Sequence, residues 1–423
     1  MHFFHYVNDD FYCEEVPIAE IAAKTGTPFY LYSYRTITQH FRVFDEAFDN
    51  LPHLVCFAVK ANSNLAILRI IANLGGGVDI VSGGELYRAL QTGIDPQKIV
   101  YSGVGKKQSE IEYALASNIL MFNVESAQEL VVINACAAKK GVRARIALRV
   151  NPDVDPQTHP HISTGLKENK FGLAVESALE QYRLARTCSH VEIIGISCHI
   201  GSQITQMAPF LEAFGQVKKM VKLLQLDGIE IKYVDLGGGL GICYNQEEPP
   251  HPDDYAQAIF TAKDELDCTF IFEPGRVIIG NAGILVTEVL YTKDSNDKRF
   301  LVVDAGMNDL IRPSIYNSYH EIKPLRKKYG EEVIADVVGP ICESGDFLAK
   351  KRKLPAFASG ELMAIMSAGA YGFTMSSNYN SRPRAPEVLV KDQKYYLIRK
   401  REDYQDLIRG EEVPDFLQFD KDE

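Results

Sequence analysis

The 423-residue sequence has no apolar run close to the roughly 20 residues that cross a bilayer. It has no basic patch either. Its 56 acidic and 45 basic side chains leave a net charge of -11, which argues against nucleic acid or another polyanion as partner. The eight cysteines lack CxxC spacing, so free thiols in a reducing cytoplasm are expected rather than a disulfide framework. The stretch MHFFHYVNDDFYCEEV is acidic and lacks the basic-then-apolar pattern of a secretory signal. A cytoplasmic protein without membrane or nucleic-acid partners is the expectation.

What is present is a chain with 46% hydrophobic residues, ample for large cores and long enough for two or three domains. Eight strand-like runs, at 54–60, 78–82, 99–103, 120–125, 145–151, 193–200, 232–237 and 269–273, alternate with segments of helical apolar spacing such as ELYRALQTG and FLEAFGQVKKMVKLLQLDG. Eight βα repeats predict a TIM-type (β/α)₈ barrel over 31–280, with a doubly wound sheet as the alternative. Beyond Arg276, short strands broken by Gly, Asp and Asn predict a mainly β domain over 281–423, which the strand-like first 30 residues are expected to join by entering the same sheet. The connection from Asn151 to Gly172 is rich in turn formers and long enough to serve as a lid. His159 and His161 within it have no Cys or carboxylate at ligand spacing, so no metal site is expected.

In a parallel barrel the C-terminal strand ends carry the chemistry. The first strand, LVCFAV, ends at Lys60, and the following ANSN offers helix-capping side chains before a helix that Gly75 closes. A lysine rising from an apolar floor is placed for a lowered pKa and for use as an amine nucleophile, although a solvated strand-end lysine is the plainer reading of that stretch alone. The seventh strand runs into Gly237, Gly238 and Gly239, whose three N–H groups can approach an anion. Ile242 stands where a dinucleotide GxGxxG fingerprint needs glycine, so a Rossmann site is disfavoured. The eighth strand ends in Glu273, Pro274, Gly275 and Arg276, where burial of the carboxylate demands a cationic or N–H partner. The sixth ends in His199 and Ser202. An amine, an anion cradle, a flat imidazole and an acid at one end of one barrel are the groups that pyridoxal 5'-phosphate needs for its aldehyde, phosphate, ring face and ring nitrogen.

FAVKAN, STGLKENKFG, HIGSQ, GGGLG, EPGR, CESGD and GAYG stand in this order over nearly the whole chain, which thereby resembles the diaminopimelate decarboxylases among the alanine-racemase-type pyridoxal phosphate enzymes. The resemblance implies a (β/α)₈ barrel followed by a β domain, and a head-to-tail homodimer with active sites shared across the interface. It implies that Lys60 bonds to the cofactor, that His199 stacks on its ring and that Glu273 pairs with its nitrogen. Ser202, the Gly237–Gly239 turn, the Gly275 and Arg276 backbone and Tyr371 would meet the phosphate. A glutamate at the ring nitrogen favours a full electron sink, which suits decarboxylation better than racemisation.

Cys342 resembles the family's proton donor, supplied by the neighbouring subunit; a thiol is protonated at neutral pH and suits a general acid. The implied reaction is decarboxylation of meso-2,6-diaminopimelate to L-lysine and CO₂, the last step of lysine biosynthesis. Its substrate carries a second amine and a second carboxylate. Glu343 is the expected partner of the distal ammonium, and Arg312 and Arg276, with Tyr316 and Tyr371, line up for the distal carboxylate. Arg276 could instead touch the phosphate. A decarboxylase of another basic amino acid or of carboxynorspermidine is the alternative, since it would share Lys60, Glu273 and Cys342.

Overall fold

The computed structural model describes residues 2–156, 158, 164, 170–295 and 298–417. Eight parallel strands, β1 (His53–Ala58), β2 (Gly77–Ile80), β3 (Ile99–Tyr101), β4 (Met121–Val124), β5 (Ala144–Asn151), β6 (Val191–Ser197), β7 (Tyr233–Asp235) and β8 (Thr269–Phe272), pair in sequence order. β8 then returns to β1, with Phe270 opposite His53. The sheet therefore closes on itself, as a (β/α)₈ barrel does and a doubly wound sheet does not. The ring of outer helices has one substitution: only the short Arg276–Ile279 follows β8, and Tyr34–Glu46, ahead of β1, packs against it and against Leu65–Asn73 and Pro252–Ala262.

Period-two alternation along the strands explains what fills the barrel. Cys56, Val100, Met121, Ala147, Tyr233 and Ile271 make an apolar layer inside it. Two residues farther along the same strands, and so on the same face, come Ser102, Asn123, Asp235 and Glu273, with Arg149 in the same place on β5. Asp79 stands two residues beyond Gly77 on β2. An apolar plug thus gives way at the C-terminal mouth to a layer of buried polar and charged side chains.

The second domain is a nine-stranded sheet built around the long strand Gly283–Ser295. Phe29–Ser33 joins it, antiparallel to Gly283–Ser295 and parallel to Glu387–Lys391. The earlier strands do not, contrary to expectation. Phe4–Val7, Asp10–Cys13 and Val16–Pro17 form a separate three-stranded sheet, whose Phe4, Phe11, Cys13 and Val16 pack against Ile284, Val286, Met366 and Val388. The apolar face that would extend the large sheet is instead used to cover it.

Candidate active site

Lys60 lies in a single turn, Val59–Ala61, directly after β1. The turn is held from both sides. Asn64 caps the helix Leu65–Asn73 by accepting the Ala66 N–H at 2.9 Å, and Gly75 closes it at φ 84°. From the second domain Tyr371 donates its N–H to the Ala61 carbonyl at 2.8 Å. Tyr371 holds φ 55°, a left-handed conformation that a bulky aromatic rarely adopts and that concentrates at functional sites.

The Lys60 ammonium is paired with Asp79 on β2. This overturns the expectation of a lowered lysine pKa. Burial does oppose the ammonium, but Asp79 and then Glu273 outweigh it and raise the pKa above the ordinary lysine value. The floor beneath Lys60 is the polar layer, not apolar.

Glu273 accepts from Ser102 Oγ at 3.3 Å and from Asn123 Nδ2 at 3.4 Å, the weak N–H partner that its burial called for. Asn123 Nδ2 lies closer, at 2.7 Å, to Asp235 Oδ2. Burial first, then the neighbouring Asp235 and Asp79, push the Glu273 carboxyl far up. Burial raises Asp235 to about 6. Burial and the neighbouring acids thus favour the protonated form of the Glu273 carboxyl.

The glycine turn departs from expectation in one respect. Gly237 gives its N–H to Asp235 Oδ1 at 2.9 Å, and Gly238 gives its own to His199 Nδ1 at 3.2 Å. Two of the three N–H groups expected to meet an anion are therefore spent inside the protein. They brace the turn and fix His199 as a neutral ring, whose pKa burial and then Arg149 and Lys60 drive well down. The turn still has no room for side chains. A Cβ on Gly238 would fall 2.2 Å from the Glu273 carbonyl oxygen, and one on Gly275 2.9 Å from Ala61 Cβ.

Arg276 is buried, with Nη1 donating to Tyr244 Oη at 2.7 Å and Nη2 to Ser202 Oγ at 2.9 Å. Among the described residues its Nε has no hydrogen-bond partner. The guanidinium lies 4.9 Å from the Tyr371 ring centroid, near enough to Arg312 to oppose its charge. Arg312, also buried, donates from Nη1 to His320 Nε2 at 3.1 Å and covers the Tyr244 ring at 4.7 Å. Neither arginine forms a salt bridge among the described residues. Burial opposes ionisation of Tyr244, but Arg276 and Arg312 outweigh it and bring its hydroxyl below the usual phenol value.

These residues surround one cavity of about 580 Å³, lined among others by Lys60, His199, Ser202, Arg276, Arg312 and Tyr371. Tyr316 lines it too. Of the long connection after β5, Thr158 and Thr164 reach the cavity, and Thr164 donates its N–H to Ile200 at 3.0 Å and its hydroxyl to His199 O at 3.1 Å. Most of the STGLKENKFG segment, with His159 and His161, lies outside the described residues. Cys342 and Glu343 do not line this cavity. Both are exposed, in a loop where the Cys342 N–H is held by Asn380 Oδ1 at 2.7 Å.

The residues present fit pyridoxal phosphate by their chemistry. A lysine amine, a buried carboxyl with a raised pKa, a neutral imidazole, a glycine turn that tolerates no Cβ and a buried guanidinium with an unused Nε share one mouth. Asp79, Asp235, Asn123 and His320 escaped the sequence reading. A polar residue two places beyond an apolar one on each barrel strand is the signal that could have found the first three.

Residues 34–280 match the family described as pyridoxal-dependent decarboxylase, pyridoxal binding domain. The diaminopimelate decarboxylase of Vibrio cholerae is 49% identical over 415 residues, 98% of this chain and 99% of that protein. The crystal structure of the Helicobacter pylori diaminopimelate decarboxylase complexed with L-lysine is similar at 47% identity and a TM-score of 0.90, covering 93% of this chain and 98% of that one. The M. jannaschii enzyme in co-complex with L-lysine gives 40% identity and a TM-score of 0.94, over 98% and 99% of the two chains.

Proposed function

The chain belongs to the diaminopimelate decarboxylases, and on that premise we propose how its residues divide the work. It is a pyridoxal phosphate-dependent carboxy-lyase that takes meso-2,6-diaminopimelate to L-lysine and CO₂. The observation that carries the substrate is the pair Arg276 and Arg312. Two buried guanidiniums that have no carboxylate partner among the described residues, at one end of a lysine-bearing cavity, call for an anionic ligand group. Meso-diaminopimelate brings a distal carboxylate; ornithine and lysine do not.

Bound pyridoxal phosphate supplies the electron sink for the pair left on Cα when CO₂ departs. Lys60 provides the amine for its aldehyde, and until then Asp79 neutralises the ammonium. Glu273 would give a proton to the ring nitrogen and face it as a carboxylate, with Asp235 and Asp79 favouring the protonated form of that carboxyl until then. His199 offers a neutral ring face, braced by Gly238. Ser202, the Gly237–Gly239 turn, the Gly275 and Arg276 backbone and Tyr371 hold the phosphate. Within the turn, Gly237 and Gly238 act by bracing and Gly239 by donation. The Arg276 side chain joins Arg312, Tyr316 and Tyr371 at the substrate.

Cys342 returns a proton to Cα, and Glu343 takes the distal ammonium, both from a second copy of the chain. Their exposure and their absence from the cavity of their own chain support a homodimer with shared sites. The free state of all eight cysteines supports a reducing, cytoplasmic setting for this lysine-forming step.

Subunit exchange tests the shared site. Lys60→Ala and Cys342→Ala homodimers contain no complete site, whereas a mixed dimer gathers both lesions in one site and leaves the other whole. Random reassortment of equal amounts should restore about a quarter of wild-type activity. Exchange verified by mass tags without any recovery would contradict the shared site.

A further inference from the structure

His320 is fully buried, does not line the cavity, and has no part in the reaction as derived above. Its ring is nonetheless held at every edge. Nδ1 stands 2.8 Å from the Met366 carbonyl oxygen, which can only accept, so Nδ1 carries the hydrogen. Nε2 is then a lone pair, and it faces Arg312 Nη1 at 3.1 Å. The Tyr244 ring meets the imidazole edge-on at 5.4 Å and 78°. The backbone is pinned as well: Arg352 Nη1 donates to the His320 carbonyl at 2.7 Å, and Met366 donates its N–H to Glu321 O at 2.8 Å.

We propose that His320 is the positioning residue that aims Arg312 at the distal carboxylate of the substrate while leaving the charge of that guanidinium unspent. An arginine has five donors and a mobile stem, so a fixed acceptor behind it sets which edge faces the cavity. A carboxylate would do this more strongly, but it would pair with the guanidinium and cancel the field that the substrate must feel. A neutral imidazole orients without neutralising. Burial and then the neighbouring Arg312 lower its pKa to about 3, so it stays neutral across any working pH.

The inference rests on Arg312 being the partner of the distal carboxylate, so Arg312→Ala is measured alongside. Cadaverine, the five-carbon diamine that lacks that carboxylate, serves as competitive ligand, because L-lysine as product retains it. If Arg312→Ala weakens cadaverine as much as meso-diaminopimelate, the assignment of Arg312 itself fails and the proposal with it. If Arg312→Ala weakens only meso-diaminopimelate, the His320 variants decide. His320→Ala should raise KM for meso-diaminopimelate about tenfold, the scale of one hydrogen bond to a charged group, with the inhibition constant of cadaverine unchanged. His320→Gln, whose amide oxygen can accept from Arg312, should recover most of that loss. His320→Glu should be impaired at least as much as His320→Ala. Equal losses for both ligands in His320→Ala, or a wild-type KM in His320→Glu, would overturn the proposal. Should His320→Ala fail to fold, the contrast stands on its own: a lower KM in His320→Gln than in His320→Glu supports it, and equal values overturn it.

Discussion

Tyr371 donates its backbone N–H to the carbonyl of Ala61 at 2.8 Å, so the second domain is fastened to the turn that carries Lys60. The left-handed φ of 55° that this requires sets the ring against Arg276 by backbone geometry rather than by its hydroxyl. Tyr371→Phe should therefore leave the thermal stability of the cofactor-free chain unchanged and weaken pyridoxal phosphate binding about tenfold, as expected for one lost hydrogen bond to a charged group. Equilibrium titration followed by cofactor absorbance measures it. Unchanged affinity would remove the hydroxyl from the phosphate site.

Glu273 is set up to hold a proton, and its contribution falls on the charge that develops at Cα rather than on binding. Glu273→Gln should keep cofactor content near wild type while kcat falls about a hundredfold or more, the scale of a lost electrostatic stabiliser of the transition state. Steady-state kinetics with matched cofactor loading reads this directly. A kcat within about threefold of wild type would mean that Glu273 is not the partner of the ring nitrogen.

The barrel and its eight strands were legible because the strands are mostly apolar and the helices between them carry their own caps, as Asn64 and Gly75 do around Leu65–Asn73. Lys60, His199, Ser202, Glu273 and Arg276 were legible because they close those strands. The behaviour of Lys60 was not. Its pKa is decided by Asp79 on the neighbouring strand, and sequence spacing does not tell which strand-end charges meet across a barrel mouth. The bracing of the Gly237–Gly239 turn escaped for a related reason, since it depends on side chains of Asp235 and His199 turning inward. His320 lay beyond reach because its role is defined by Arg312 and Met366, brought together only by the second domain.

The buried acids also set how the cofactor-free chain responds to pH. Asp235, raised from 3.8 to about 6, binds its proton more tightly folded than unfolded. Its contribution to stability is thus fully present below about pH 4 and is lost as pH rises through about 6. His320, lowered from 6.5 to about 3, acts oppositely, and its contribution is lost as pH falls below about 6.5. Cofactor-free Asp235→Asn should consequently lose less stability than wild type between about pH 5 and about pH 7, and urea denaturation at the two pH values measures the difference. Equal losses would mean that Asp235 titrates normally.

The central claim is that this cavity decarboxylates an amino acid bearing a distal carboxylate. Pyridoxal phosphate-loaded protein given meso-diaminopimelate, ornithine, arginine and lysine in separate reactions, with CO₂ and the amine product identified by mass spectrometry, tests it most directly. The account predicts L-lysine and one CO₂ per meso-diaminopimelate consumed, with kcat/KM at least about a hundredfold above the other three, because those leave the buried arginines unpaired. Putrescine, agmatine or cadaverine formed as efficiently as L-lysine would contradict it.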